Sequence, residues 1–110
     1  MAEAHVLRIP IKPGMKEKVE AYLVKRSAAV EDLDDLYTRR GITHTFMFIE
    51  AREGAHSLFI FRQGENLQTA GADFLLADAP IEREFRKLLI EATDLDEMCT
   101  LPVPFRWPGE

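Results

Sequence analysis

The apolar positions fall into short β-type runs separated by longer helical patterns. His5 to Ile11 reads as a strand, closed by Lys12-Pro13-Gly14. Met15 to about Arg40 reads as one long helix, with Gly41 as the residue after it that tolerates a left-handed backbone. Thr43 to Glu50 and Ser57 to Gln63 read as strands joined by a hairpin at Arg52-Glu53-Gly54. Leu67 to Ala77 is weakly helical. Asp78-Ala79-Pro80 restarts a helix with Ile81, Phe85, Leu88 and Ala92 on one face, Pro80 suiting its first turn. Met98 to Arg106 reads as a final strand. The order βαββαβ predicts an α+β, ferredoxin-like fold. Its four-stranded antiparallel sheet carries helices on one face, and residues 1–110 form a single domain.

The hairpin carries the most information. A turn centred on Glu53-Gly54 sets Phe48 opposite Phe59 and Phe46 opposite Phe61. His44, Phe46, Phe48 and Glu50 then share one face with Ser57, Phe59, Phe61 and Gln63. Thr45, Met47 and Ile49 share the other with Leu58, Ile60 and Arg62. A sheet with one wet face alternates apolar and polar, whereas both faces here are apolar. Helices cover one face, so the other calls for a second copy of the chain. Pro102 and Pro104 lack N–H donors on the same side of the last strand, which suits an edge. Pro10 fits a central strand only near its end or at a bulge.

On the long helix, with 100° per residue, Met15, Val19, Leu23, Val30, Leu33 and Tyr37 fall within about 60° of Arg26. A guanidinium in the middle of an apolar stripe needs an anion or several acceptors. It either holds a carboxylate, enolate or phenolate of a ligand in a helix–sheet cavity, or pairs with an internal acid such as Glu50, or snorkels to solvent. His44 is the best acid/base candidate by its ordinary pKa, with a hydrogen-bonded core or interface histidine as the alternative. Tyr37 lies on Arg26's stripe and can point its hydroxyl into the same cavity. Glu50 can serve as a base or as Arg26's partner. Arg62 and Arg106 lie on strands and suit subunit contacts, and Trp107 suits packing or an interface.

Bulk properties remove several classes. The net charge of −5 comes with no basic block, which argues against a phosphate-backbone partner. Cys99 is the single cysteine, so neither an internal disulfide nor a cysteine metal cage is possible. The histidines have no chelating spacing, so no metal is expected. Glu31-Asp32 and Asp34-Asp35 fit a solvated helix face. Met1 to Met15 has no apolar core of a secretion signal, and no apolar run approaches a membrane span. A cytoplasmic protein is the expectation.

Several short motifs resemble the dimeric α+β barrel superfamily. They are Ile11-Lys12-Pro13-Gly14 followed by Glu17-Lys18-Val19, then Arg39-Arg40-Gly41-Ile42 leading to Phe48-Ile49-Glu50, and later Ala79-Pro80-Ile81-Glu82. More narrowly the chain resembles an uncharacterised bacterial family in that superfamily, a domain of unknown function. The resemblance implies a homodimer with sheets face to face and a ligand cavity between each sheet and its helices. Members include cofactor-free polyketide cyclases, quinone-forming monooxygenases, haem-degrading enzymes and stress-response proteins. Phe85 stands where a histidine is usual in the narrower family, and Thr45 where a glutamate is usual. A more apolar pocket suits a hydrophobic or aromatic ligand.

The expectation is therefore a cofactor-independent enzyme of cyclase or isomerase type, acting on an apolar oxygenated substrate of a biosynthetic pathway. Arg26 would stabilise developing negative charge, His44 or Glu50 would move the proton, and Tyr37 would assist orientation. A non-catalytic ligand-binding or structural dimer is the first alternative. It predicts a filled core and Arg26 bonded only to protein. Haem binding is the second, weakened by the absence of a histidine on either main helix.

Overall fold

The computed structural model describes residues 3–68, 79–105 and 107. Strand β1 spans Glu3–Ile11, helix α1 Lys16–Ser27, helix α2 Val30–Arg39, strand β2 Ile42–Arg52 and strand β3 Ala55–Gly64. Helix α3 spans Pro80–Ala92, and strand β4, Cys99–Pro102, follows a short 3-10 turn at Leu95–Glu97. The strands form one antiparallel sheet in the order β2-β3-β1-β4. This is the ferredoxin-like arrangement that the element order predicts.

The hairpin register is the expected one. Phe46 pairs with Phe61 and Phe48 with Phe59. Glu53 and Gly54 both take positive φ, 52° and 81°, as a two-residue hairpin turn of matching twist requires. Gly41 likewise has a φ of +72°. One residue is inserted in β2 between Ile42 and His44, a bulge where β2 meets Gly64. Gly64 leaves no space there, since a Cβ on it would lie 2.2 Å from the Gly41 carbonyl oxygen.

The core lies between the sheet and helices α1 and α3. Ile9, Leu58 and Ile60 meet Val19, Tyr22, Phe85 and Leu89. Tyr22 stacks on Phe85 with ring centroids 5.3 Å apart. On the opposite sheet face, among the described residues, Phe46 is 61% and Phe48 50% exposed. Phe48 stacks on Phe59 at 5.3 Å, and Phe46 packs on Phe61 at 5.7 Å.

β4 lies at an edge, as Pro102 and Pro104 imply, but it ends at Pro102 and does not run on toward Arg106. Pro10 is the second-last residue of β1, beyond the last β1–β4 pair at Arg8 and Cys99. Its carbonyl accepts from the Asp94 N–H at 2.9 Å, so its missing donor faces the side where β4 has stopped. The weak helical pattern at 67–77 falls mostly outside the described residues, as does Arg106.

The expected long helix is two helices. Ala29 leaves the helical region (ψ 55°) and separates α1 from α2. The charges on either side of the break suit two separate helices. Lys25 and Arg26 lie in the last turn of α1 and Glu31 and Asp32 in the first turn of α2, each favourable to its own helix dipole. After the break the phase changes. Val30 is 58% exposed, Leu36 is buried, and Tyr37 turns back toward Arg26.

Candidate functional site

Arg26 is buried between helix and sheet. Its Nη1 donates to the Tyr22 hydroxyl at 2.9 Å, and its Nη2 donates to the Tyr37 hydroxyl at 2.7 Å and to Glu82 Oε1 at 3.2 Å. The guanidinium lies 4.6 Å from the centre of the Phe85 ring. Arg40, at the end of α2, donates through Nη1 to Glu82 Oε2. Glu82 is fully buried, and both of its oxygens are bonded to guanidiniums. Burial opposes charge on Arg26, but the Tyr37 and Tyr22 oxygens more than offset it and its pKa stands above the ordinary value. Arg26 Nε is buried without a hydrogen-bond partner among the described residues.

The two tyrosines differ in where their own protons go. Tyr22 donates to the Ile81 carbonyl at 3.3 Å, and burial raises its pKa, so it remains a phenol within the core. Tyr37 accepts from Arg26, is half-buried, and lines a cavity of about 350 Å³. A hydroxyl that accepts still has its proton to donate.

The cavity lies between the inner sheet face and α3. Its apolar wall includes Leu7, Ile9, Met47, Ile60, Phe85 and Leu89. Its polar part includes Arg26, Tyr37, Arg40, Arg62, Glu82 and Arg86, with Thr45 also in the lining. The Thr45 hydroxyl donates to the Phe61 carbonyl at 2.9 Å. Arg62 donates through Nε to His5 Nε2 at 3.2 Å, which requires a neutral His5. Arg62, read from the sequence as a subunit contact, thus belongs to the cavity wall.

Arg26 and Tyr37 are brought together as their shared stripe implies, although across a helix break. His44 and Glu50 are not brought to them. Both are exposed on the outer sheet face, opposite Gln63 and Ser57, and neither lines the cavity. His44 Nδ1 lies 3.1 Å from the Thr43 hydroxyl. Arg26 does pair with an internal acid, but that acid is Glu82 on α3. Glu50 cannot fill that role because the pleat turns it to the other face. Trp107 is exposed on the single chain.

Glu82 and Arg40 are the site residues that the sequence reading missed. For Glu82 a signal existed. It stands three residues before Phe85 and seven before Leu89, so it is a charge on an apolar helical stripe, the pattern that singled out Arg26. Among the described residues no group of three or more His, Cys, Asp and Glu side chains is placed to hold a metal ion. No described helix is long and apolar enough to cross a membrane.

The fold is ferredoxin-like, as in solved structures that it matches. No family model matches the sequence, and no curated protein matches it. Solved structures do match over nearly the whole chain. An L-rhamnose mutarotase from Formosa agariphila is 16% identical, with a TM-score of 0.55, covering 98% of this chain and 99% of its own. SnoaB, a cofactor-independent oxygenase from Streptomyces nogalater, is 14% identical, with a TM-score of 0.57 and 97% of each chain covered. A dimeric protein of unknown function from Bacteroides fragilis is 16% identical, with a TM-score of 0.55, covering 94% of this chain and 96% of its own.

Proposed function

We propose that this chain is a cofactor-independent small-molecule enzyme of cyclase or isomerase type that works as a homodimer. Its substrate is an apolar oxygenated compound held in the cavity. The observation that carries this reading is Tyr37, which lines the cavity while its hydroxyl accepts a hydrogen bond from the buried guanidinium of Arg26. A substrate oxygen that gains negative charge there, as its α-proton passes to solvent water, accepts a hydrogen bond from the phenol, with the guanidinium charge behind it. Arg26 acts through Tyr37, and Glu82 and Arg40 hold Arg26 in place. His44 and Glu50 belong to the outer face and so to the contact between copies.

The exposed Phe46 and Phe48 support that contact. Burying each is worth about 1.5–3 kcal/mol, and a second copy presents the same pattern in return. Small-molecule chemistry is also in keeping with the fold, which an L-rhamnose mutarotase and a cofactor-independent oxygenase share. Non-catalytic binding is the rival reading. It has in its favour that both Nη groups of Arg26 are already engaged by Tyr22, Tyr37 and Glu82, and against it a cavity within the range of about 300–1,000 Å³ that suits small ligands.

The test uses cyclic ketones and phenols, with binding followed by backbone amide shifts. Shifts are expected at Tyr37, Met47 and Ile60, with Tyr37→Phe weakening oxygenated ligands about tenfold and leaving hydrocarbon analogues unaffected. Wild-type protein is expected to speed exchange of the bound ketone's α-protons into deuterium oxide. Binding without exchange favours the non-catalytic reading. Shifts confined to Phe46 and Phe48 remove the cavity from the account.

A further inference from the structure

The polar end of the cavity carries more positive than negative charge among the described residues. Among the described lining residues, Arg26, Arg40 and Arg62 contribute three guanidiniums, even with Arg86 left uncounted, and Glu82 is the single carboxylate. Glu82 already serves two of them, since Oε1 accepts from Arg26 and Oε2 from Arg40. Arg62 has a different kind of neighbour. Among the described residues its hydrogen bond runs to His5, a neutral imidazole that cancels no charge. A guanidinium has five N–H donors, and the Nε bond uses one of them. Burial, and beside it the like charge of Arg40, pushes the Arg62 pKa below its ordinary value against the opposing pull of Tyr37 and Glu82. A half-buried cation placed near another cation, with unspent donors on a cavity wall, is the arrangement an anion completes.

We infer that the cavity's ligand is an anion, its carboxylate bound by Arg62 next to Arg40 and its apolar body against Met47, Ile60 and Leu89. The inference rests on the cavity being a ligand site and adds the ligand's charge and the residue that reads it. Arg62 is suited to the role because its planar fork matches a carboxylate through two parallel hydrogen bonds. Arg26 is less suited, since its Nη groups already serve Tyr22, Tyr37 and Glu82. His5 acts as the positioning residue, holding Nε so that the Nη pair is left for the ligand.

The experiment compares 2-naphthoate with 2-naphthamide, which share an apolar body and differ in charge. Binding to the wild-type chain and to Arg62→Gln and Arg62→Lys is measured by titration calorimetry, with thermal melting to establish that each variant folds. The wild-type chain is expected to prefer naphthoate by about tenfold or more, the worth of a charge-assisted hydrogen bond. Arg62→Gln is expected to erase the preference while naphthamide binds as before, and Arg62→Lys to restore part of it. Equal binding of the two probes overturns the inference and leaves the cavity reading standing. A naphthoate preference that survives in Arg62→Gln also overturns it, because the anion is then read elsewhere. Failure of both probes to bind the wild-type chain removes the cavity reading and the inference together.

Discussion

Arg26 Nη2 lies 3.2 Å from Glu82 Oε1, an ion pair between α1 and α3 in which both side chains are at least nine-tenths buried. The pair holds two helices at the polar end of the core, and Arg40 extends it to the end of α2. Exposed pairs Lys18–Glu91 and Lys25–Glu84 continue the same α1–α3 seam at the surface. Those outer pairs are screened and contribute little. The buried one is different, because either partner left alone is an uncompensated charge in the core.

Glu82→Ala is therefore expected to lower stability by about 3–5 kcal/mol, since it strands two guanidiniums at once. Glu82→Gln keeps the volume and one acceptor and is expected to cost less. Urea unfolding of the three proteins checks the order. A Glu82→Ala variant as stable as the wild type would show that the cluster contributes nothing to holding α3.

The outer sheet face makes a separate prediction. Phe48→Glu places a charge where the stacked Phe48–Phe59 pair now lies, on a strand position that is already half exposed. In a homodimer packed through this face, the two copies would bring those charges into the interface. Sedimentation is expected to show a dimer for the wild type and a monomer for the variant, with the single chain still folded. A wild-type chain that sediments as a monomer at high concentration would end the dimer reading.

His5 predicts a pH dependence with a definite sign. Burial, then the positive charge of Arg62, lowers its pKa from the ordinary 6.5, with Glu3 opposing. The unfolded chain therefore binds a proton more readily than the folded one. Its contribution is fully present above pH 6.5 and is lost as the pH falls from there through the lower folded value. His5→Gln keeps an acceptor for Arg62 but does not titrate. Between about pH 7.5 and pH 5 the wild type should lose more stability than the variant, measured by the shift in the denaturation midpoint. Equal losses would remove His5 from the pH response.

Much of the architecture is legible in the chain because it is set locally. Glu53-Gly54 allows a tight turn with positive φ at both positions, and a period of two then pairs Phe46 with Phe61 and Phe48 with Phe59. Helical spacing puts Arg26 on an apolar stripe, so its burial and its need for acceptors follow from α1 alone. The break at Ala29 was less legible. Two alanines carry no breaker signal, and the charge reversal from Lys25-Arg26 to Glu31-Asp32 marks the position only weakly.

What only the tertiary structure decided is which side of the sheet is inside and who meets whom across the chain. Both faces of the hairpin are apolar, so alternation cannot distinguish the helix-covered face from the open one. That choice sent Thr45, Met47 and Arg62 to the cavity and His44 and Glu50 away from it. Arg26 and Glu82 stand 56 positions apart on different helices, and periodicity within an element says nothing about distance between elements. A sequence specifies the angle of a side chain around its own axis. The packing of helices on a two-sided sheet specifies its partner, because burying apolar surface is non-directional while closing a hydrogen bond to a buried charge is not.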